Sequence, residues 1–349
     1  MSWNSVGSQS SGSAARAVRT PSGRFGYLRL WSFDVTDDVA YVEEVARLLR
    51  LLPQRGLIID LRANPGGLIW AAERALQLLT PKEIVPTRFS LVATPLTRAM
   101  ALAQQNSGEL DAWRDSLVAA VATGELYSQA VPITPPHRCN DVGQVYGGPV
   151  VAVVDANTYS AGDLFAAGFY DNEIGTLITV GEATGAGGAN VWSPTDVSDA
   201  LLGTPFEQKV LPAGIGYTIS VRRATRAGDF DGAAIEDVGV QGHRSYAMTR
   251  RDLTGNNGDL RAMCGRLLAT QPLTGLELTL RETTVRAAAK GLDRLDVYVD
   301  GRPVGWHDLS NGGKATRSVT FDRPHGEQLE VLGYAGERLS QRRRLPLAP

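Results

Sequence analysis

Apolar and polar positions divide the chain into recognisable units. Val150–Val154 is an unbroken apolar, β-branched run of the length of a buried parallel strand. Polar turn-type residues follow at 155–159, and from Ser160 the spacing of Leu164, Phe165, Gly168 and Phe169 predicts a helix, with Asp163 in its first turn. Upstream, Gly26–Phe33 alternates as a strand does, and Asp37–Leu52 repeats apolar residues at helical spacing up to Pro53. Gly56–Leu61 reads as a second buried strand, Arg62–Gly67 as a tight turn and Leu68–Leu79 as a helix. Downstream, short strands are expected at Thr176–Val180, Tyr217–Arg222 and Val238–Val240, a glycine-rich turn at Gly181–Gly188, and a last helix at Asp252–Leu268. This alternation is that of an α/β core.

Three stretches break the pattern. Residues 1–24 are Ser/Gly/Ala-rich and read as a flexible leader. Residues 82–145 form a long, irregular insertion, with an amphipathic helix expected within Pro95–Ala122 and a Pro/Gly-rich loop carrying His137 and Cys139. From Leu273 the texture becomes short alternating strands with turns at Asp300-Gly301 and Asn311-Gly312-Gly313, as in a small β-sandwich. The expected organisation is a leader at 1–24, a core at 25–272 with its insertion at 82–145, and a β-sandwich at 273–349.

Composition narrows the chemistry. The 349 residues are 43% hydrophobic and 21% charged, ordinary values for a globular protein. A net charge of −2 supplies no field for nucleic acid or an anionic membrane, and no apolar run is of membrane-spanning length. Cys139 and Cys264 are too few for a disulfide framework or a four-ligand zinc site, and no metal or cofactor is expected. The first twenty residues lack the apolar centre of a signal peptide, so a cytoplasmic location is expected if the N-terminus is complete.

The chemistry-bearing residues lie at the turns after the two buried strands. A serine between strand and helix sits among unpaired backbone N–H groups, where an attacking oxygen and the oxyanion it creates are both stabilised; the same position suits a plain N-cap. Asn64-Pro65-Gly66-Gly67 opens directly into a helix and offers N–H groups for an anion. Together the two turns outline an acyl-transfer site, one giving a nucleophile and the other an oxyanion donor.

The segments GYLRLWSF, GLIIDLRANPGG, GGPVVAVVDANTYSAGDLFAAGF, TLITVGEATGAGG and IEDVGV, in that order over residues 25–245, resemble the S41 peptidases, the tail-specific or C-terminal-processing proteases. The resemblance implies a ClpP/crotonase-like core, a peptide or protein substrate, Ser160 as nucleophile, and oxyanion donors from Gly66, Gly67 and the N–H of Ala161. Many members place a lysine in the turn that here reads GEATGAGG, but its position is Gly187. The chain is therefore more similar to the Ser-His-Glu branch, whose glutamate corresponds to Glu236. That branch carries its histidine upstream of a PDZ-like domain, whereas the four histidines here are His137, His243, His307 and His325. His137 is the candidate base within the chain, ahead of His243, with Lys209 a formal alternative. A base-bearing N-terminal segment or partner chain is the other source. Two further readings stay open: an inactive homologue that binds peptide or serves as a scaffold, and a crotonase-like acyl-CoA enzyme.

Overall fold

The computed structural model describes residues 13–103, 108–208, 211–212, 215–310 and 316–347. It begins with a hairpin, β1 (Ser13–Thr20) and β2 (Gly23–Leu30), antiparallel from Ser13↔Leu30 to Thr20↔Gly23. This corrects the reading of 1–24 as a leader, of which residues 1–12 lie outside the described part. Small and polar residues hid this strand: Ala15 and Val18 are buried in different apolar clusters, on opposite faces of the strand, and Arg16 and Arg19 lie between and beside them.

Next come α1 (Asp38–Leu51), capped by the Asp37 carboxylate on the N–H groups of Val39 and Ala40, then β3 (Leu57–Asp60) and α2 (Ile69–Gln77). The insertion holds β4 (Arg88–Leu91), α3 (Pro95–Leu102), α4 (Asp111–Thr123), β5 (Val131–Pro132) and α5 (Pro136–Cys139). Two helices thus replace the single one expected, and Gly108, at φ +95, precedes the second. The core resumes with β6 (Val150–Asp155), α6 (Ala161–Asp171), β7 (Thr176–Val180), α7 (Pro194–Leu201), β8 (Arg222–Thr225) and β9 (Arg244–Tyr246). The core ends with α8 (Arg250–Thr254) and α9 (Gly258–Ala269), where one helix was expected. Asn256 and Asn257, both left-handed, separate them.

The main sheet has the order β1-β2-β3-β6-β7-β9, antiparallel at β1/β2 and parallel from β2 onward. Its buried strands serve two layers with period two. Leu57, Ile59, Ala152 and Val154 face the cluster containing Val42, Ala72 and Phe165 of α1, α2 and α6. Ile58, Val151 and Val153 face Leu260, Cys264 and Leu268 of α9. Burial on both faces is why these strands read as continuous apolar runs. A separate three-stranded sheet, β5-β4-β8, joins the insertion to the core. Two of the strands expected from the sequence move: β8 starts at Arg222, where Tyr217–Arg222 was to end, and β9 lies beyond Val238–Val240.

The C-terminal part is antiparallel and β-rich: β10 (Gly275–Leu280), β11 (Thr284–Lys290), β12 (Arg294–Val299), β13 (Arg302–Asp308), β14 (Thr316–Asp322), β15 (Gln328–Ala335) and β16 (Arg338–Pro346). Sheets β10-β11-β14 and β13-β12-β15-β16 enclose an apolar cluster of their own around Val285, Ala287, Leu295, Val297 and Val331. The seam with the core is polar. Gln341 donates to the Gly147 carbonyl at 2.7 Å, and Arg342 N–H donates to Gln144 at 2.8 Å.

For function, the adjacency of β3 and β6 matters most. The turns leaving their carboxyl ends, at 61–68 and 155–160, are neighbours at the edge where ligands bind in parallel α/β sheets.

Candidate active site

Hydrogen bonds lace the two turns together. Asp155 accepts from Ala63 N–H at 2.8 Å, Thr158 Oγ1 donates to the Leu61 carbonyl at 3.0 Å, and Tyr159 N–H donates to the Asn64 carbonyl at 2.8 Å. Held this way, Ser160 adopts φ +55°, ψ −122° at the N-cap position of α6. Positive φ costs a residue with a Cβ about 1–2 kcal/mol, so the lacing maintains a conformation that the chain would otherwise leave. The hydroxyl makes no capping bond to the helix. Of the two roles open to this serine in the sequence, the cap is therefore the one the structure does not use.

Gly66 packs directly on the serine. A Cβ built on it would lie 2.6 Å from Ser160 Cβ, 2.7 Å from the Tyr159 carbonyl and 2.8 Å from Ala161 N. With φ at +96°, glycine serves here for both conformation and close approach. Its own N–H, however, donates at 2.8 Å to Asn64 Oδ1, and Asn64 is fully buried with its amide on the Leu30 carbonyl. This departs from the expectation for Gly66, which shapes the turn but has already spent its donor. The N–H groups of Gly67 and Ala161 find no acceptor among the described residues. Both are unpartnered N–H groups at the two laced turns.

The Gly181–Gly188 turn closes over the same point. Ala186 N–H and Gly187 N–H each donate at 3.1 Å to the carboxylate of Asp163, which is fully buried in the first turn of α6. Any side chain at position 187 would run into the ring of Tyr159, which lies across the backbone of Gly185 and Gly187 and is itself half exposed. The place of the missing lysine is filled by an aromatic ring.

Glu236 lies in the next segment, tied to this turn where Asp237 N–H meets the Ala186 carbonyl at 3.4 Å. Its Oε1 accepts from Ala224 N–H at 2.8 Å, while Oε2 is buried and has no partner among the described residues. Burial pushes its pKa up, with a further push from the charge of Asp163.

No hydrogen bond links any of the four histidines to Ser160 among the described residues. His137 is exposed on α5, where the neighbouring Arg138 lies over the Trp70 ring at 4.7 Å. His243 stacks on Tyr170 at 4.0 Å and accepts from Leu177 N–H through Nδ1, and burial lowers its pKa. Tyr170 is nine residues beyond Ala161 in α6, which places it roughly 14 Å along the helix axis. His243 therefore belongs to the far end of that helix. His307 stacks on Phe321 in the C-terminal sheets, and His325 is exposed there. Lys209 falls outside the described residues. Among those described, no group of His, Cys, Asp and Glu is arranged to hold a metal ion, and no helix is long and apolar enough to cross a membrane.

The architecture and the chain's matches point the same way. A sequence model of peptidase family S41 matches residues 24–228, more than half of the chain. The chain belongs to peptidase family S41. The segment matched contains all but the first residue of the hairpin strand β2, both laced turns, Ser160 and the Gly181–Gly188 turn. Among solved structures, mature CPAF aligns with a TM-score of 0.54 at 16% identity, over 75% of this chain and 55% of that one. CPAF complexed with lactacystin aligns at 0.53 and 17%, over 74% and 55%. A putative peptidase from Parabacteroides merdae aligns at 0.49 and 16%, over 77% and 68%. This S41 chain thus spans about 55% of the length of the CPAF structures. No curated protein matches its sequence.

Two contributors to the site were not singled out for it in the sequence. Asn64 shapes the 61–68 turn, and Asp163 ties the start of α6 to the glycine-rich turn. The second had a readable signal. An acidic residue in the first turn of a helix is placed to accept from nearby backbone N–H groups.

Proposed function

We propose that this chain is a serine-type endopeptidase that cleaves peptide bonds through an acyl-enzyme on Ser160. The observation that carries the proposal is the strained, uncapped serine set against a glycine turn, with the free N–H groups of Gly67 and Ala161 beside it. In this reading the Ser160 hydroxyl gives its proton to an imidazole as its oxygen attacks the substrate carbonyl. The resulting oxyanion accepts from Gly67 and Ala161. Collapse expels the amine, which takes the proton from the imidazolium, and water hydrolyses the ester by the reverse proton path. Glu236 orients the imidazole through Oε2, the oxygen left unpartnered.

In this reading the imidazole comes from a further segment or a partner chain, because none of the four histidines is hydrogen-bonded to Ser160 among the described residues and His243 and His307 are stacked on other rings. Peptide hydrolysis with and without added imidazole tests this, with Ser160→Ala, Glu236→Gln and His137→Ala alongside. The expected result is weak turnover that imidazole or a histidine-bearing segment raises, abolished in Ser160→Ala and reduced in Glu236→Gln. Robust imidazole-independent turnover lost in His137→Ala would make His137 the base. Turnover that survives Ser160→Ala would remove the serine mechanism. Peptide binding without turnover under any of these conditions would favour the inactive, peptide-binding homologue.

A further inference from the structure

We propose that Asp163 is the positioning residue of this site, a buried latch that fixes the nucleophile's turn, the glycine-rich turn and the Glu236 segment relative to one another. The proposal rests on the reading of Ser160 as nucleophile and adds to it a residue whose work is geometric.

The carboxylate, three residues past the strained serine in the first turn of α6, takes its donors from the glycine-rich turn: Ala186 N–H and Gly187 N–H, one to each oxygen, both at 3.1 Å. That turn is tied onward, because the Thr184 hydroxyl accepts from Val240 N–H at 2.8 Å. Thr184 N–H in turn donates to the Val240 carbonyl at 3.2 Å, and Asp237 N–H reaches the Ala186 carbonyl. A continuous path thus runs from the strained serine, through one carboxylate, to the segment bearing Glu236.

A surface acid opposing a helix dipole would do none of this. Asp163 is fully buried, and no cation pairs with it among the described residues. Its desolvation is offset only by backbone N–H donors. An amide at this position keeps one acceptor oxygen but points N–H groups at backbone N–H groups, so the glycine-rich turn must pull away. The start of α6 would then lose its tie to that turn, and with it the alignment of the serine hydroxyl with the oxyanion donors. Burial already lifts the carboxyl's pKa, but the N–H groups of Ala186 and Gly187 favour the ionised form that the latch needs.

The test uses the whole chain with added imidazole and a fluorophosphonate probe. It measures the maximal labelling rate and the probe's half-saturating concentration separately, with amide hydrogen exchange over residues 184–188. Asp163→Asn is expected to lower the maximal rate by about 100-fold, the cost of misplacing reacting groups by an ångström, with half-saturation little changed. Exchange at Ala186 and Gly187 should quicken by at least about tenfold, as expected when an amide hydrogen bond worth 1.5–3 kcal/mol to a charged group is lost. Thr184→Val keeps the carboxylate and removes the acceptor of Val240 N–H, loosening the glycine-rich turn that the latch holds, so it serves if Asp163→Asn does not fold; a smaller drop of about tenfold in rate is expected there, again without a shift in half-saturation. Unchanged labelling and exchange in these variants, with labelling abolished by Ser160→Ala, would overturn the latch and leave the nucleophile standing. Labelling that persists in Ser160→Ala would instead overturn the nucleophile, and with it the positioning role.

Discussion

Gly66→Ala is the sharpest perturbation of the turn that faces the serine. The new Cβ would meet Ser160 Cβ at 2.6 Å, the Tyr159 carbonyl at 2.7 Å and Ala161 N at 2.8 Å, all below the 3.0 Å that such contacts require. Two of the three are backbone atoms, so no rotamer change relieves them. Positive φ costs an alanine about 1–2 kcal/mol, and overpacking in a constrained site adds about 1–3 kcal/mol. A loss of about 2–5 kcal/mol in unfolding free energy follows. Gly124→Ala is the matched control: φ is +79° with nothing within 4 Å, so strain acts without a clash. A reduced unfolded-state entropy offsets part of that strain, leaving about 1 kcal/mol. Denaturant titration of both variants separates the two effects. The turn must also shift away from Ser160, so imidazole-assisted labelling by a fluorophosphonate should fall by about 100-fold in Gly66→Ala and remain unchanged in Gly124→Ala. A Gly66→Ala variant as stable and as reactive as Gly124→Ala would refute the claim that this glycine is the contact surface for the nucleophile.

Two other predictions concern the rest of the molecule. Glu73 on α2 is buried, with Oε1 accepting from Thr87 N–H at 2.8 Å and Oε2 unpartnered, and burial pushes its pKa up from 4.5 to about 7. The native chain therefore keeps a proton that the unfolded chain releases. The resulting stability is full below pH 4.5 and is lost as pH rises through 7, a swing of roughly 3 kcal/mol. Glu73→Gln should flatten that slope in urea titrations between pH 4.5 and about 7, the range the shift spans, and an unchanged slope would show another group at work. We also propose that residues 273–349 can be removed without unfolding the core, because the two apolar clusters share no member and the seam is made of polar contacts such as Gln341 to Gly147. Residues 1–272 should stay soluble and cooperative in thermal unfolding; an insoluble or molten product would mean that the seam is needed for folding.

How much of this was legible in the sequence depends on the range of the interaction. The strands Leu57–Asp60 and Val150–Asp155 were legible because both of their faces are buried, which forces a continuous apolar run. Ser160 and the glycine turn were legible because a strand–turn–helix spacing constrains residue type locally. The strand Ser13–Thr20 was not, since its pairing with Gly23–Leu30 stabilises small and polar residues that carry little signal alone. The break at Asn256-Asn257 hid inside a helical repeat because asparagine tolerates the left-handed conformation without interrupting the apolar spacing. Gly66 illustrates the limit at the site itself. Its place in the turn was readable, but that Asn64 takes its N–H depends on where one buried side chain points. Glu236 was readable as an acid near the site, whereas the unpartnered state of its second oxygen comes from the packing around it.

The central claim is that Ser160 is the nucleophile of an S41 site whose base is supplied from elsewhere. Fluorophosphonate labelling with and without imidazole, followed by peptide mapping, tests it most directly. The account predicts a single adduct on the peptide containing Tyr159-Ser160-Ala161, accelerated by imidazole, absent in Ser160→Ala and slowed in Glu236→Gln. An adduct on another residue, or labelling indifferent to both imidazole and Ser160→Ala, would contradict it.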